Sequence, residues 1–482
     1  MSFAKRNIEL LILLITIAIV IIWQLFFIIQ LPDGDTDAYA HFIIARDIVK
    51  NPYNLSSHWV WLPLFHYIGA FFVFIGIDLE PIRFVNLILW NVIPLVLFFY
   101  LRKKLGNSKI PFVASMLTAL SPIGILMGTT AQPEPLFTLL ILLFIITFDN
   151  EKYYLSSILL GILCMLRYEA WALLAGLGIY YLIQIIRNKT LRISPNGKNI
   201  SYYLNLFLPF LLIVIWTLLR YQSDGGWFSF LHGTHKFAND ALGEVNSMQG
   251  GFWKFINDLF FYPFWIPFIF TGAAVILVPF GLRKFLADNK IAFIASLSIL
   301  TFISISWVMK ANLGLNRHFT SLVPFYSLLL AYGFVNVSDY MKKYKLFSSG
   351  KLLLSVFAAI ILFYTSMWLY IWHDTNTNNF SEKRDTIEYL KQINSNEPNG
   401  IILCNDPMIE VLSGIDFKVF NHFWMVENLE TKQYIESLKS GTGNIYIITS
   451  AVNESFYSSF AFKLFESASP DKNGSKILIF KY

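Results

Sequence analysis

Apolar segments of membrane-spanning length recur along most of this chain. About twelve of them follow one another, near residues 8–30, 59–77, 82–101, 110–128, 135–149, 153–167, 170–187, 203–221, 263–283, 290–309, 319–338 and 350–372. Each approaches the roughly 20 residues that an α-helix needs to cross a bilayer. Only 14% of the residues are charged, whereas soluble domains carry about a quarter. The sequence therefore predicts an all-α polytopic membrane domain over residues 1–372, with about 11–13 transmembrane helices.

Residues 373–482 are more polar and alternate between two periodicities. Helical spacing of apolar residues occurs near 381–395, 406–414, 430–440 and 454–465, and strand-like runs occur near 400–406, 417–423, 444–450 and 476–482. This alternation predicts a small soluble C-terminal α/β domain. The domain carries neither of the glycine-rich fingerprints that bind nucleotides, GxGxxG and GxxxxGKS/T.

The basic residues fall in short clusters between the apolar segments, which is how membrane topology is encoded. The clusters are Lys5–Arg6, Arg102–Lys104, Arg187–Lys189, Arg283–Lys284 and Lys342–Lys345. From Arg102 onward, alternate crossings put every cluster on the cytoplasmic side, so the loop 222–262 and the C-terminal domain are expected to be extracytoplasmic. The net charge of +6 therefore reflects topology, and no nucleic-acid partner is expected.

The N-terminal part of the chain fits this alternation of membrane crossings less well. The first apolar run is long for a signal peptide and lacks a small-residue cleavage site, so we expect a retained first span in a multi-pass protein of the cell membrane. The loop 31–58 would then be extracytoplasmic as well. Two full crossings before Arg102 would put its cluster on the wrong side, so the segment 59–77 is expected not to cross fully.

The loop 31–58 begins with three acids, Asp33, Asp35 and Asp37, directly after the first apolar segment. Carboxylates at a membrane boundary are costly unless they have partners or a task. Asp37 could simply cap the helix that the following residues would form. Alternatively, Asp35 or Asp37 could act as a general base toward an acceptor hydroxyl or amine, or could hold a divalent cation through oxygen ligands. The residues alone leave these alternatives open.

Two further polar positions lie between apolar segments on the same predicted side. Glu134 stands between two prolines that stiffen its turn, and could be either a surface acid or part of the site. Arg167 and Glu169 lie where one span ends and the next begins. They could pair with each other, or Arg167 could bind a phosphate with its planar guanidinium.

A basic cluster formed by Lys310, Arg317 and His318 breaks the orientation rule, because it follows the tenth segment on the outer face. A positive cluster on that side suggests an anionic ligand, and a lipid-linked phosphate is the ligand that a membrane supplies. His232 and His235 have ligand-like spacing, but two histidines without a third ligand make a poor metal site.

Five motifs stand in a fixed order along residues 1–340. They are GDTDAYAHFIIAR, HWVWLPLFHY, PIRFVNLILWNVIPLVLFFYLRKKLG, SPIGILMGTTAQPEPLFTLL and RHFTSLVPFYSLLLAYG. Together they resemble the GT-C superfamily of polytopic glycosyltransferases, which use polyprenyl-phosphate-linked sugars. Within it, the sequence is most similar to the family of protein O-mannosyltransferases and lipid A aminoarabinose transferases.

The resemblance implies roles for particular residues. Asp37 matches the family's catalytic base, with Asp35 as the second choice, and Glu134 matches a second acidic position that is often Asp in relatives. Arg317 would contact the donor phosphate. The chain shows neither a WWDY-type motif nor a β-trefoil insertion, which argues against an oligosaccharyltransferase or a eukaryotic-type protein mannosyltransferase and suggests a bacterial or archaeal enzyme.

The resulting hypothesis is a membrane glycosyltransferase that moves a sugar from a polyprenyl-phosphate donor to a protein, lipid or glycan acceptor on the outer face, with inversion. Asp37 would deprotonate the acceptor, while Arg317, with Arg167 or Lys310, would stabilise the leaving phosphate. The alternatives are a lipid or lipid-linked-sugar transporter or flippase, a non-catalytic membrane scaffold, and another enzyme that uses lipid-linked sugars. A transporter would place ionisable groups at mid-membrane and show paired repeats.

Overall fold

The computed structural model of the protein describes residues 3–77, 79–106, 108–188, 198–242, 251–343, several positions between 358 and 370, and 381–397, 400–404, 406–422, 429–438, 444–450, 453–468 and 476–482. The described chain forms two compact units. The membrane unit consists of Met1–Gln30 with Ile44–Leu369, and the C-terminal unit consists of Leu31–Ile43 with Tyr370–Tyr482.

Helices account for the described membrane unit and for the segment that leads into it. They are α1 Phe3–Gln30, α2 Thr36–Lys50, α3 Pro63–Phe74, α4 Leu79–Leu105, α5 Ile110–Ala119, α6 Pro122–Met127, α7 Glu134–Asp149, α8 Tyr153–Leu166, α9 Glu169–Asn188, α10 Lys198–Asp224, α11 Ser229–Leu242, α12 Gly251–Phe260, α13 Ile266–Thr271, α14 Val278–Asp288, α15 Lys290–Val308 and α16 Val323–Lys343. Short 3₁₀ helices at Leu55–His58, Gly272–Leu277 and Asn316–Leu322 and a π-helix at Phe261–Trp265 join some of them. The predicted all-α membrane domain is thus confirmed.

Seven helical stretches in the described ranges are long and apolar enough to cross a membrane. They are Ile8–Gln30, Pro81–Leu105, Glu169–Arg187, Leu206–Asp224, Gly251–Asp288, Lys290–Val308 and Asn316–Lys343. Three predicted spans are shorter apolar helices instead, namely Pro63–Phe74, Ile110–Ala119 and Tyr153–Leu166. The last predicted span, 350–372, falls largely outside the described residues. The chain is a multi-pass membrane protein.

Proline explains one of the shortened spans. The sequence predicted a continuous span at 110–128, but α5 ends at Ala119 and Pro122 begins α6. A proline disfavours helical geometry in the residue before it and donates no backbone hydrogen bond, so the helix ends ahead of it. Ser121 accordingly has a non-helical conformation with ψ of 119°.

The region 222–262 was expected to be a long extracytoplasmic loop, and here the structure differs. Helix α10 continues to Asp224, α11 covers Ser229–Leu242 and α12 begins at Gly251. The π-helix, α13 and the second 3₁₀ helix then carry the chain into α14. Aromatic residues of this region such as Phe230 and Trp253 therefore lie within helices, and Gly225 and Gly251 have positive φ where helices end or begin.

The C-terminal unit contains a five-stranded mixed sheet with helices α17 Ser381–Asn396, α18 Pro407–Ser413, α19 Leu429–Leu438 and α20 Glu454–Ser458. Its strands are β1 Ile401–Cys404, β2 Phe420–His422, β3 Ile445–Ser450, β4 Phe462–Glu466 and β5 Ile477–Lys481, in the order β2-β1-β3-β5-β4. Strand β1 runs parallel to β2 and β3, and β5 runs antiparallel to β3 and β4. The predicted C-terminal α/β region is confirmed.

One element of this sheet was predicted wrongly. Residues 454–465 were expected to form one helix, but α20 ends at Ser458 and β4 begins at Phe462. Strand β4 pairs with β5, which lies next to it in the sheet and is almost fully buried. Backbone pairing with the following strand outweighs the weak local helical pattern here, as tertiary context often does.

Candidate functional site

Five of the side chains singled out in the sequence meet in the membrane unit. Glu134 is the first residue of α7, Arg167 lies between α8 and α9, and Arg317 and His318 belong to the 3₁₀ helix before α16. Glu169, the first residue of α9, joins them. We call these five residues the buried charge cluster. Both carboxylates sit in the first turn of a helix, where the helix dipole favours a negative charge.

Arg167 is the centre of this cluster. Its Nη1 lies 2.5 Å from Glu134 Oε1, and its Nη2 lies 2.7 Å from Glu169 Oε1. Its Nε also donates to both oxygens of Glu169, at 3.1 and 3.2 Å. The extended backbone of Arg167, with φ of −150° and ψ of 147°, turns the side chain out of the line of α8. One guanidinium therefore joins two carboxylates from different helices in near-bidentate geometry.

The 3₁₀ helix contributes the other two members. Arg317 Nε lies 3.8 Å from Glu134 Oε1, which is beyond hydrogen-bond distance. His318 Nδ1 lies 3.0 Å from Arg167 Nη2 and 3.7 Å from Glu169 Oε1. A guanidinium nitrogen only donates, so His318 Nδ1 accepts this hydrogen bond and a neutral His318 carries its proton on Nε2.

The two carboxylates of the cluster are almost inaccessible to solvent. Glu134 is 2% exposed and Glu169 is 5% exposed. Burial alone would lower the pKa of Arg167, but the adjacent carboxylates of Glu169 and Glu134 outweigh it and hold that pKa above its ordinary value. Glu134 Oε2 is buried and has no hydrogen-bond partner within the described ranges. Among the residues that the structure describes, this oxygen is thus a buried acceptor that no donor uses.

A polar framework that the sequence reasoning missed supports the turn before Glu134. Asn86 donates to the carbonyl oxygens of Thr130 and Gln132, both at 2.7 Å, and Arg83 Nε donates to Thr129 at 2.8 Å. Both side chains are buried in α4, at 2% and 0% exposure. The sequence did contain a signal for this framework, since Arg83 and Asn86 are polar residues three positions apart in an otherwise apolar span. Buried polar groups in membrane helices usually have a function.

Lys310 stands apart from these contacts. Its Nζ lies 3.2 Å from Asp258 Oδ2 in α12 and 3.6 Å from the centre of the Trp307 ring. Its backbone has φ of 52°, in the left-handed region that non-glycine residues rarely adopt. The described contacts therefore tie Lys310 to α12, and none of them joins it to the buried charge cluster.

Asp35 and Asp37 belong to the C-terminal unit, at the start of α2. The sequence suggested that Asp37 could cap this helix, but the helix begins at Thr36 and Asp35 has that role. The amide of Asp37 donates to Asp35 Oδ1 at 3.1 Å, and the amide of Asp35 donates to Asp33 Oδ1 at 3.0 Å. Asp33 and Tyr39 are fully buried, and Tyr39 OH donates to the Asp33 carbonyl at 3.1 Å.

The sequence leaves open a cation site at Asp35 and Asp37. In the part of the chain that the structure describes, no group of three or more His, Cys, Asp or Glu side chains is arranged to hold a metal ion. His232 and His235 lie in α11 with exposed side chains and form no such group.

Comparison with known proteins gives a likeness of fold. No protein-family model matches the chain, and no curated protein matches it in sequence. Among solved structures, ArnT from Cupriavidus metallidurans in the apo state matches with a TM-score of 0.61 at 9% identity, over 99% of this chain and 98% of that one. The same enzyme bound to undecaprenyl phosphate matches with a TM-score of 0.55 at 10% identity, with the same coverage.

An oligosaccharyltransferase from Archaeoglobus fulgidus, tethered to an acceptor peptide, matches with a TM-score of 0.50 at 10% identity, over 99% of this chain and 74% of that one. At these identities the likeness concerns the fold. The architecture predicted from the motif order is confirmed, and this chain has a GT-C fold.

Proposed function

We propose that this protein is a membrane glycosyltransferase that moves a sugar from a polyprenyl-phosphate donor to an acceptor on the outer face of the membrane, with inversion at the anomeric carbon. The observation that supports it best is the buried charge cluster, set in a fold shared with ArnT and an oligosaccharyltransferase. Buried ionisable groups at helix ends are costly and suggest a functional site.

Arg317 is the proposed main contact of the donor phosphate. Its Nε lies 3.8 Å from Glu134 Oε1, which places its positive charge within the buried charge cluster. Arg167 and His318 lie alongside and would assist, Arg167 as a fixed positive charge and His318 through its Nε2 proton. Lys310, whose Nζ contacts Asp258, is proposed as a further contact of the donor phosphate.

These cations would stabilise the negative charge that develops when the sugar–phosphate bond breaks. In the proposed step, Asp37 removes the proton from the acceptor hydroxyl or amine, and the acceptor atom forms a bond to the anomeric carbon. The bond from that carbon to the phosphate oxygen breaks, and polyprenyl phosphate leaves with the electron pair. Asp35 is the second choice for the base, and Glu134 is proposed to orient the sugar through its unused oxygen.

The test is a transfer assay with purified protein and a radiolabelled polyprenyl-phosphate sugar. Asp37→Asn is expected to lower kcat at least about a hundredfold, because general-base catalysis contributes that much or more. Arg317→Gln is expected to raise KM for the donor and to lower kcat. Undiminished transfer by the double variant Asp35→Asn, Asp37→Asn would sink the assignment of the base.

The matched control for the phosphate contact is Arg187→Gln. Arg187 is an exposed arginine in the last turn of α9, so the same chemical change there should leave transfer at the wild-type rate. If Arg187→Gln and Arg317→Gln reduce transfer equally, the charge of the protein as a whole matters and the proposed phosphate contact is wrong.

A further inference from the structure

A short loop leads into the 3₁₀ helix that carries Arg317 and His318. It spans residues 309–315, from the end of α15 to the start of that helix, and we call it the leading loop. Its backbone has two left-handed positions, Lys310 with φ of 52° and Gly314 with φ of 67°. A non-glycine residue in this conformation is strained and persists only where its surroundings hold it. The shape of the leading loop therefore depends on the side chains that pack against it.

One face of α12 and of the π-helix that follows it packs against both ends of the leading loop. The residues of this face that make the contacts are three and four positions apart, as expected for neighbours on a helix surface, and they are Asp258, Phe261 and Tyr262. Asp258 pairs with Lys310. The ring of Phe261 lies 5.2 Å from that of Trp307, just before the loop. The Tyr262 hydroxyl donates to the carbonyl oxygen of Leu315, the last residue of the loop, at 3.1 Å.

Tyr262 contacts the carbonyl group at which the 3₁₀ helix begins. The Leu315 carbonyl oxygen accepts a hydrogen bond from the amide of His318 at 3.2 Å, and it also accepts the one from the Tyr262 hydroxyl. A carbonyl oxygen has two lone pairs, so the two hydrogen bonds are compatible. The ring of Tyr262 lies 6.4 Å from that of His318 in an edge-on arrangement. Tyr262 thus contacts both the start of the 3₁₀ helix and a member of the buried charge cluster.

The backbone around Tyr262 departs from the regular α-helix. Phe261–Trp265 forms a π-helix, a rare conformation that often occurs at functional sites. Pro263 lies within it and has no amide hydrogen, so the α-helical hydrogen-bond pattern is interrupted there. Tyr262 is 0% exposed, and a buried tyrosine hydroxyl usually needs a hydrogen-bond partner inside the protein. The Leu315 carbonyl is that partner.

We propose that Tyr262 is a positioning residue for the donor phosphate. By holding the Leu315 carbonyl, its hydroxyl fixes where the 3₁₀ helix begins and so fixes the placement of Arg317 and His318. The identity of the ligand rests on the proposed function, in which Arg317 binds the phosphate of the donor. Tyr262 acts through these two side chains rather than on a reacting atom, because its hydroxyl donates to a backbone carbonyl.

The test measures the binding of undecaprenyl phosphate to the full-length protein in phosphatidylcholine nanodiscs, together with sugar transfer. Tyr262→Phe removes the hydroxyl and keeps the aromatic ring, so the variant should fold like the wild type. It should bind undecaprenyl phosphate about fivefold more weakly, which is the effect of losing one neutral hydrogen bond. It should also lower kcat about tenfold, because a misplaced phosphate contact is poorly aligned with the reacting bond.

A double-mutant cycle distinguishes positioning from general destabilisation. Arg317→Gln removes the main group through which Tyr262 is proposed to act, so adding Tyr262→Phe to that variant should weaken binding by no more than about twofold. An equal effect of Tyr262→Phe in both backgrounds, or a Tyr262→Phe protein that does not fold, would make its role purely structural and overturn the proposal. Wild-type binding by Tyr262→Phe would overturn it as well.

Tyr326→Phe is the matched control. Tyr326 lies in α16, and its buried hydroxyl has no hydrogen-bond partner in the part of the chain that the structure describes. The same chemical change there should leave binding and transfer at wild-type levels, and equal effects of the two variants would contradict the proposal. Phosphate binding that depends on Tyr262 and Arg317 in a protein that transfers no sugar would support the positioning role and overturn the proposed function.

Discussion

At the scale of single residues, Arg167 stabilises two buried carboxylates. It contacts Glu134 at 2.5 Å and Glu169 at 2.7 Å, and its own side chain is 13% exposed. Removing one partner of a buried ion pair leaves an uncompensated charge, which typically costs about 3–5 kcal/mol. Arg167→Gln is therefore expected to lower the free energy of unfolding by about that amount, measured by denaturation in detergent.

A double variant distinguishes the effect of losing the charge of Arg167 from the effect of losing its packing. In the double variant Arg167→Gln, Glu169→Gln, one of the stranded charges is gone, so part of the stability should return. Arg187→Gln, at an exposed position, should change stability by no more than about 0.5 kcal/mol. The free energy of unfolding of the double variant is compared with the value predicted by adding the effects of the two single substitutions. If the double variant is less stable than that value, the carboxylates are not stabilised mainly by Arg167.

His58 makes the stability of the protein depend on pH. Burial, and then the charge of Arg220, lower the pKa of His58 from 6.5 to about 4. The Nδ1 of His58 lies 2.9 Å from the Nδ1 of His66. A hydrogen bond between these two nitrogens requires one of them to carry a proton and the other to accept it. The unfolded chain therefore binds more protons than the folded one between pH 4 and 6.5, and stability increases with pH in that interval.

The stability contributed by a neutral His58 is fully present above pH 6.5 and is lost as the pH falls toward 4. We expect the melting temperature of the wild-type protein to decrease as the pH is lowered from 6.5 to 4, with proton uptake by His58 as one cause. His58→Gln cannot take up that proton, so its melting temperature should fall less steeply over the same interval. Parallel curves for the two proteins would assign the pH dependence to other groups.

At the scale of elements, helices α14 and α16 approach so closely that their backbones touch. A methyl group added at Gly333 would overlap the carbonyl oxygen of Leu277, and one added at Gly281 would overlap that of Leu329. Small residues permit such packing between membrane helices. Helix α16 follows directly on the 3₁₀ helix that carries Arg317 and His318, so this contact also holds part of the buried charge cluster in place.

Gly333→Ala is therefore expected to destabilise the protein by about 1–3 kcal/mol through overpacking, even though alanine favours helix by about 1 kcal/mol. Thermal unfolding of the purified variant measures the change. Gly178→Ala is the matched control in α9, since a methyl group there meets nothing within 4 Å and should leave stability equal or higher. A stable Gly333→Ala protein would show that the two helices can move apart at little cost.

The sequence predicted the secondary-structure elements better than it predicted the contacts between them. Apolar run length identified the membrane helices, but it did not distinguish full spans from shorter buried helices such as α5, because both are apolar on every face. Arg167 and Glu169 are neighbours in the chain, so their pairing was foreseen as one alternative. The contact of Arg167 with His318 joins residues 151 positions apart, and no local periodicity encodes it.

At the scale of the whole molecule, the chain forms two units, and the boundary does not follow the order of the sequence. The segment Leu31–Ile43, which includes Asp35 and Asp37, belongs to the C-terminal unit together with residues 370–482. The polarity of the sequence placed the boundary near residue 372 and assigned the acidic loop to the membrane domain. Composition reports where a chain is polar, whereas membership of a unit depends on three-dimensional contacts.

This grouping predicts that the order of the acidic segment depends on the C-terminal sheet. Ile447 is fully buried in β3, so Ile447→Asp buries an unpaired charge and should disrupt the sheet. Hydrogen exchange in the full-length protein should then become faster at Tyr39 and Phe42 in α2, and sugar transfer should fall. Phe462→Asp, at a position 81% exposed in β4, is the control and should leave exchange unchanged. Equal protection of α2 in both variants would mean that the acidic segment holds its conformation without the sheet.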